Sequence, residues 1–274
     1  MALALAALLS GCGNGNHKYT KPSKSTTTAS VGAKTSTTIG VTPAATSSVL
    51  VYFLRDGKLA AAARSVEAPA VGRGALEQLF AGTHQSDRAA SLSTALPAGA
   101  QLQSLSIRND VATIAVNSTT MAGADASQRK LRAAQIVATA TQFSTAKSVA
   151  LIADGQPVSG LPTSLSRAAF EDVTPAVLLE SPTPGQSVSS PARLTGTANT
   201  FEAQFMVQIV DARGRVLVDK SEMATSGNGT RGTFDVKVAF AIGTAQEGSI
   251  VVYEVSPEDG SHTQIVKVPV HLSK

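Results

Sequence analysis

The sequence predicts an α+β domain followed by an all-β, immunoglobulin-like sandwich, and three observations carry this prediction. Residues 48–172 contain strand patterns interrupted by two stretches whose apolar residues recur with helical spacing. Residues 173–274 contain only short alternating segments, separated at regular intervals by turn signals such as Pro-Gly, Arg-Gly and Asp-Gly. The composition, 43% hydrophobic but only 4% aromatic and without Trp, predicts cores built from aliphatic side chains.

The basic character of the chain belongs to its N-terminal end. The formal net charge is +4, and no acidic residue precedes Asp56, whereas Lys18, Lys21, Lys24 and Lys34 do. Without these four lysines, the remaining 19 basic residues balance the 19 acidic ones. A neutral folded part lacks the clustered cations that phosphate backbones select, so we expect no nucleic-acid partner.

The first residues predict an export signal. Residues 2–9, "ALALAALL", form an apolar run that is too short to span a bilayer and is followed by small residues. The next segment, "LSGC", resembles the bacterial lipobox, which implies cleavage before Cys12 and attachment of lipid to its sulfur. An ordinary thiol is the alternative. The positively charged segment that usually opens such a signal is missing, which leaves open a start upstream of Met1.

Residues 1–12 are therefore predicted to be a lipoprotein signal peptide and lipobox, and residues 13–47 a disordered tether. The tether is rich in Ser, Thr, Gly and Lys and has too little apolar surface to fold. Its lysines either contact anionic headgroups or keep the segment soluble. We expect a protein held on the extracytoplasmic face of the cell membrane by lipid on Cys12. A single cysteine also excludes an internal disulfide.

Residues 48–172 are predicted to fold in the order β, α, β, β, α, β. The run "VLVYFL" indicates a strand buried on both faces, which turns at Asp56-Gly57 into a second extended piece. A helix follows, with Leu76, Leu79 and Phe80 on one face and its end at Gly82. Next come a hairpin that turns at Arg108-Asn109-Asp110 and a second helix within 125–143. A last strand ends before Asp154-Gly155.

The second helix has the clearest period in the chain. Its predicted apolar face consists of Ala133, Ile136, Val137, Ala140 and Phe143. The residues predicted to face elsewhere are Arg132, Gln135, Thr139 and Gln142.

Four segments of this domain resemble the GerMN (sporulation/germination) domain. They are "VYFLRDGKL", "ALEQLFAG", "LSTALPAGAQLQSLSIRNDVATIAVN" and "LRAAQIVATATQFSTAKSVALIADGQPV". Thr83 stands where the family usually has Pro, and Asn109-Asp110 replaces the usual turn Gly, so both departures concern loop geometry. The resemblance implies an extracytoplasmic module with no catalytic residues to carry over.

Residues 173–274 are predicted to form seven short strands of an immunoglobulin-like sandwich. The segments "SPTPGQSVSSPARLTGTANTFEA", "VYEVSPEDGS" and "VKVPVHL" resemble the immunoglobulin-like domain of bacterial spore germination, which commonly follows GerMN. Glu202, next to Phe201, has two interpretations. A carboxylate there either pins a loop, which is the commoner role, or binds a ligand.

Three patterns associated with chemistry are weak in this context. "GNGTRG", from Gly227 to Gly232, matches the dinucleotide-binding glycine pattern but precedes a strand, so no helix N-terminus is available for a phosphate and we expect no cofactor. Two Ser-x-x-Lys tetrads, 127–130 and 144–147, lack the Ser-Asp-Asn and Lys-Thr-Gly partners of acyl enzymes. The histidines lack metal-ligand spacing, so we expect no metal.

The sequence thus predicts a non-catalytic, lipid-anchored protein of the cell envelope that binds a protein partner or acts as a scaffold, in sporulation, germination or envelope signalling. The expected partners are the membrane, through lipid on Cys12, an envelope protein, and the cell wall as a further contact. One alternative is a solute-binding lipoprotein that serves a transporter, although such proteins usually have two similar α/β lobes. A cell-wall hydrolase is the other alternative, suggested by Ser127 and Ser144.

Overall fold

The computed structural model describes residues 45–256 and 258–274, so Cys12 and most of the predicted tether lie outside the described residues. The predicted fold class is confirmed, because helices occur with strands in the first part of the described chain and the second part is an all-β sandwich.

The first part of the described chain has two small sheets with helices packed against them. Strands β1 and β2 form one sheet, and the second has the order β3-β4-β5-β6, with β4 and β5 parallel and joined through α3. The elements are β1 (Thr46–Arg55), β2 (Lys58–Glu67), α1 (Val71–Ala81), α2 (Gln85–Ala89), β3 (Leu102–Arg108), β4 (Val111–Val116), α3 (Ala126–Ala140), β5 (Ser148–Ala153) and β6 (Gln156–Pro157). Compared with the predicted order, the structure has three more elements, α2, β6 and β2, the last of which is the predicted second extended piece.

Strand β1 lies in the middle of the first core. Tyr52 and Phe53 point to opposite faces and are both fully buried, which confirms the prediction of a strand without a solvent-exposed face. The predicted hairpin between β3 and β4 is also confirmed. Its turn residues Asn109 and Asp110 have φ angles of 50° and 63°, the left-handed conformation that a two-residue hairpin loop requires.

Helix α3 is buried on more faces than its period predicts. The prediction that Arg132, Gln135 and Thr139 face away from the core is wrong, since these side chains are buried like their apolar neighbours. Gln142, placed on the same predicted face, is half-buried. For Gln135, Thr139 and Gln142 the reason is that, among the described strands, only β2 pairs with β1, and these side chains bond to the backbone at its other edge. Arg132 instead donates to the carbonyls of Ala95, Thr120 and Ala122.

These bonds give α3 the role of a neighbouring strand. The Tyr52 amide donates to Thr139 Oγ1 at 3.1 Å, and Gln135 Nε2 donates to the Tyr52 carbonyl at 3.1 Å. Gln142 brackets Leu50 in the same way, accepting from its amide at 2.8 Å and donating to its carbonyl at 2.6 Å. A buried backbone group without a partner is costly, so these polar residues are required inside the core.

The second part of the chain is a sandwich of a five-stranded and a three-stranded sheet, ordered β11-β10-β13-β14-β8 and β12-β9-β7. Among the described residues, eight strands form it, one more than predicted, and one of them, β8, has only two residues. The strands are β7 (Val177–Ser181), β8 (Ser187–Val188), β9 (Ala192–Ala198), β10 (Gln204–Asp211), β11 (Val216–Met223), β12 (Gly232–Val238), β13 (Gln246–Val255) and β14 (His262–Leu272). Phe205 and Phe234 meet between the sheets, with ring centroids 4.7 Å apart.

The sheet edges differ in how they are protected. Strands β11 and β12 are edge strands that carry charged side chains along their length, Asp219, Lys220, Glu222, Asp235 and Lys237. Strand β3 is also an edge strand, but residues 102–107 are all uncharged and only Arg108, at its end, carries a charge. Within the described part of the chain, no strand pairs with the outer edge of β3.

Candidate functional site

The most extensive polar constellation lies where the two parts of the chain meet. The described residues, 45–256 and 258–274, belong to one compact unit, and the segment Arg167–Val173, a short 3-10 helix that we call the linker, connects its two parts. Strand β7 packs beside β2 next to this linker. Two arginines, Arg167 on the linker and Arg231 on the sandwich, organise the contacts.

Arg167 joins the linker to both parts of the chain. Its Nη1 donates to Glu180 Oε1 on β7 at 2.9 Å, and its Nη2 donates to the Tyr52 hydroxyl on β1 and to the Ala138 carbonyl on α3, both at 2.9 Å. The Tyr52 hydroxyl donates in turn to the Glu180 carboxylate. The guanidinium carbon also lies 4.8 Å from the centroid of the Tyr52 ring.

The electrostatics of this cluster favour fixed protonation states. Burial raises the pKa of Tyr52 well above its ordinary value of 10.0, and Glu180 raises it further, although Arg167 acts in the opposite direction. Burial acts to lower the pKa of Arg167, but Tyr52 and Glu180 outweigh it and raise that pKa. The phenol therefore keeps its proton at neutral pH and is not available as a nucleophile or base.

Arg231 makes a second link across the junction. It contacts the linker residue Glu171 with two parallel hydrogen bonds, from Nε at 3.0 Å and from Nη2 at 2.8 Å, and it donates to the Pro175 carbonyl at 2.9 Å. Asn199 donates to Glu171 Oε1 at 2.7 Å. Partial burial acts to raise the pKa of Glu171, but the hydrogen bonds from Arg231 and Asn199 lower it overall.

The cavity beside the two arginines is small and mostly apolar. A cavity of about 30 Å³ lies between Leu59, Phe170 and Leu178, with the two arginines at its wall. This volume suits one or two water molecules and is far below that of small-molecule sites, which run from ~300 Å³ upward. The junction is therefore built as a clamp between two domains.

Sequence patterns did not predict this clamp, because its members come from segments that are far apart in the chain. One local signal was present. Arg167 and Glu171 stand four residues apart, a spacing that places two side chains on one side of a helix, within a segment for which no helix was predicted.

The Ser-x-x-Lys tetrads do not have the arrangement of an acyl enzyme. Lys130 Nζ donates to Asp172 at 2.7 Å, and Lys147 Nζ donates to Asp110 at 2.6 Å. The hydrogen bond to Asp110 raises the pKa of Lys147, whereas a lysine that activates a serine needs a lowered pKa. The geometry favours a structural role for both lysines.

The glycine pattern at 227–232 is explained by packing between loops. A Cβ atom on Gly227 would lie 2.4 Å from the Thr200 carbonyl oxygen, so this loop closely approaches the loop that carries Phe201. The histidines are also separate from one another, with His262 stacked on Tyr253 and His271 3.2 Å from Glu247. Among the described residues, no group of three or more His, Cys, Asp or Glu could hold a metal ion.

Glu202 does not pin its loop through the carboxylate. The backbone amide of Glu202 donates to Asn228 Oδ1 at 3.0 Å, and the amide of Phe201 donates to Glu254 Oε1 at 3.3 Å. The carboxylate that holds this loop belongs to Glu254, which the sequence did not single out, and Glu202 is exposed.

The domain families are identified by two matches to family models. Residues 50–159 match the family described as sporulation and spore germination, and residues 176–261 match the immunoglobulin-like domain of bacterial spore germination. These spans fall within the two folded segments predicted from the sequence. No curated protein is significantly similar to the chain.

Three solved structures are similar at low identity. The first GerMN domain of the sporulation protein GerM from Bacillus subtilis is 16% identical, with 44% of this chain and 98% of that one covered and a TM-score of 0.36. The tandem GerMN domains of the same protein are 13% identical, covering 83% and 61%, with a TM-score of 0.40. A candidate lipoprotein from Clostridium perfringens is 18% identical, covering 47% and 93%, with a TM-score of 0.34. Within residues 45–256 and 258–274, no helix combines the length and hydropathy needed to cross a bilayer.

Proposed function

The chain combines a sporulation and spore germination (GerMN) domain with an immunoglobulin-like domain of bacterial spore germination, and from this premise we propose that it is a non-catalytic, lipid-anchored adaptor that binds another protein of the cell envelope. Lipid on Cys12 would anchor it at the extracytoplasmic face of the membrane. The two domains would then present surfaces to a partner.

The clamp at the domain junction is the observation that carries this proposal. Arg167 and Arg231 connect the linker to both domains through carboxylates and backbone carbonyls, so the domains hold a fixed relation to each other. Two domains that act independently would not need a fixed arrangement. It is useful when one partner must contact both domains, or when one domain must be held at a set distance from a surface, because rigidity lowers the entropic cost of binding.

The absence of free reactive groups in the polar clusters is consistent with a binding role. Tyr52 keeps its proton, and the lysines of both Ser-x-x-Lys tetrads are engaged with carboxylates. A test of this part of the proposal replaces Ser127 and Ser144 by Ala and measures release of fragments from purified peptidoglycan. We expect no release by either form, and a wild-type release that the substitutions abolish would establish a hydrolase.

Anchoring and binding are tested together in cells that produce the full chain. A photo-crosslinking amino acid is introduced at exposed positions on each domain, and adducts are isolated after irradiation and identified by mass spectrometry. We expect a discrete adduct with an envelope protein from at least one position. Failure to recover any envelope protein above the non-irradiated background, from either domain, would refute the proposal.

A further inference from the structure

Three of the most exposed large apolar side chains lie at one end of the five-stranded sheet. Phe201 and Met223 are 62% and 64% exposed, and Val255 is 46% exposed. Gln204 pairs with Met223, and Met206 pairs with Tyr253. Val255 lies two residues beyond Tyr253, past an irregularity in the pairing of β13 with β14, and borders the same cleft as Phe201 and Met206.

A cleft of about 310 Å³ runs between the side chains of this region. It is lined by Phe201, by Glu254 and Val255 of β13, and by Gln204, Phe205 and Met206 of β10. We call Phe201, Met206, Met223, Val255, Glu202 and Glu254 the Phe201 surface. Contiguous exposed apolar groups on a soluble domain are typical of interaction sites, whereas isolated ones are not.

Phe201 is exposed on a loop that is firmly held. Glu202 and Ala203 are consecutive non-glycine residues with φ angles of 53° and 60°, a conformation that costs free energy and persists only when the surroundings enforce it. Two hydrogen bonds hold the loop in this conformation, one from the Ala203 amide to the Thr200 carbonyl at 3.2 Å and one from the Ala224 amide to the Ala203 carbonyl at 2.9 Å.

The neighbouring loop adds further support. Asn228 accepts from the Glu202 amide through its side chain and donates through its own amide to the Thr200 carbonyl at 3.0 Å. Gly227 allows this approach because any larger residue would meet the Thr200 carbonyl. An aromatic side chain displayed on a backbone that is already ordered loses little entropy on binding, which is characteristic of binding hot spots.

The charges around the Phe201 surface identify the class of partner. Glu202 and Glu254 carry carboxylates that take part in no ion pair among the described residues, and no Lys or Arg lines the cleft. Anionic lipid would be repelled by these carboxylates. A second copy that docked through the same surface would bring acidic groups together. A protein with an apolar pocket flanked by Lys or Arg is complementary both to the exposed apolar side chains and to the two carboxylates.

We propose that the Phe201 surface docks a protein partner by inserting Phe201 into an apolar pocket whose rim carries Lys or Arg opposite Glu202 and Glu254. This inference rests on the proposed function as a protein-binding adaptor and assigns it a location and a partner chemistry.

The experiment places a photo-crosslinking amino acid at Met223 in the full chain, in producing cells, and repeats it in the Phe201→Ala and Glu202→Lys backgrounds. We expect the adduct yield to fall by at least about tenfold with either substitution, as for the loss of a hot-spot contact. The matched control is Val216→Ala, which truncates an exposed apolar residue of β11 outside the Phe201 surface and should leave the yield unchanged. Circular dichroism and urea midpoints equal to wild type establish that the variants are folded.

The adduct is then mapped by mass spectrometry, and the Lys or Arg nearest the crosslink in the partner is replaced by Glu. Recovery of the adduct when this charge reversal is combined with Glu202→Lys supports the proposal. Failure of that combination to recover the adduct overturns it, as does a yield that Phe201→Ala leaves unchanged.

A second crosslinking position, Ile107 on β3, separates this inference from the proposed function. An envelope adduct from Ile107 without one from Met223 refutes the Phe201 surface and leaves the adaptor function standing, whereas no adduct from either position refutes both.

Two further measurements compare wild type with Phe201→Ala. They are sedimentation velocity, which reports self-association, and co-sedimentation with vesicles of phosphatidylglycerol and phosphatidylethanolamine, which reports lipid binding. A dependence on Phe201 in either one overturns the choice of a basic protein partner.

Discussion

Replacing Gln135 by Leu tests whether α3 acts as a neighbouring strand for β1. The substitution removes the side-chain amide and leaves a branched apolar side chain that is one bond shorter. Gln135 Nε2 donates to the Tyr52 carbonyl at 3.1 Å, and Gln135 Oε1 accepts from the Ala95 amide at 2.8 Å. Gln135 is fully buried, so water cannot replace these partners without disturbing the core.

The expected loss follows from the two backbone groups that are left without partners. Each buried, unsatisfied group costs about 1–3 kcal/mol, and burial of the leucine methyl groups returns only part of that cost. We expect the free energy of unfolding to fall by about 2–5 kcal/mol. Urea unfolding of the chain beginning at Gly13, followed by far-ultraviolet circular dichroism, measures this change.

The matched control is Gln128→Leu, which makes the same substitution at an exposed position of the same helix. It should change the free energy of unfolding by less than about 0.5 kcal/mol. If Gln135→Leu and Gln128→Leu gave the same small change, the hydrogen bonds from α3 to β1 would not contribute to stability and our account of the buried polar residues would be refuted.

Three further predictions concern the junction and the anchor. Glu180→Ala leaves the Arg167 guanidinium without its carboxylate and should lower the free energy of unfolding by about 1–3 kcal/mol, measured by urea unfolding. The pKa of Glu171 is lowered in the folded state, so its ion pair with Arg231 stabilises the fold at pH values above 4.5, the ordinary pKa of a glutamate. This stabilisation is lost as the pH falls through the lower pKa of the folded state. Glu171→Gln should remove that part of the pH dependence, measured by thermal unfolding from about pH 3 to about pH 7. Cys12→Ala should release the protein from the membrane fraction and abolish incorporation of an alkyne-labelled fatty acid.

Each of these predictions has an outcome that contradicts it. An unchanged urea midpoint for Glu180→Ala would show that the clamp does not stabilise the junction. Parallel pH profiles for wild type and Glu171→Gln would show that Glu171 has the same pKa in the folded and unfolded states. Membrane association that persists in Cys12→Ala, with labelling intact, would disprove acylation at this cysteine.

The sequence predicted the strands and helices well where local chemistry decides them. The turn at Asn109-Asp110 is specified by two residues that tolerate left-handed backbone, and β1 by an unbroken apolar run. The same local reasoning failed for Gln135 and Thr139. Periodicity assigns polar residues to solvent, and only the three-dimensional arrangement shows that the edge of β1 needs their hydrogen bonds.

The candidate sites show the same division. Phe201 and Glu202 stood out in the sequence, but the left-handed backbone that displays Phe201 depends on Asn228 and Gly227, more than twenty residues away. The clamp was invisible because Tyr52 and Arg167 are separated by more than a hundred residues and have no common pattern. Contacts of this kind depend on tertiary packing, which neither propensity nor spacing encodes.

The uncharged edge of β3 has a consequence for concentrated samples. Edge strands without charged side chains template pairing with other extended chains, and most proteins protect them as this one protects β11 and β12. Aggregation of purified protein should therefore begin with sheets that join through β3. A lysine in place of Ser106, in the middle of that edge, is the single substitution that we expect to keep a concentrated solution monodisperse, and light scattering of the two forms would show the difference.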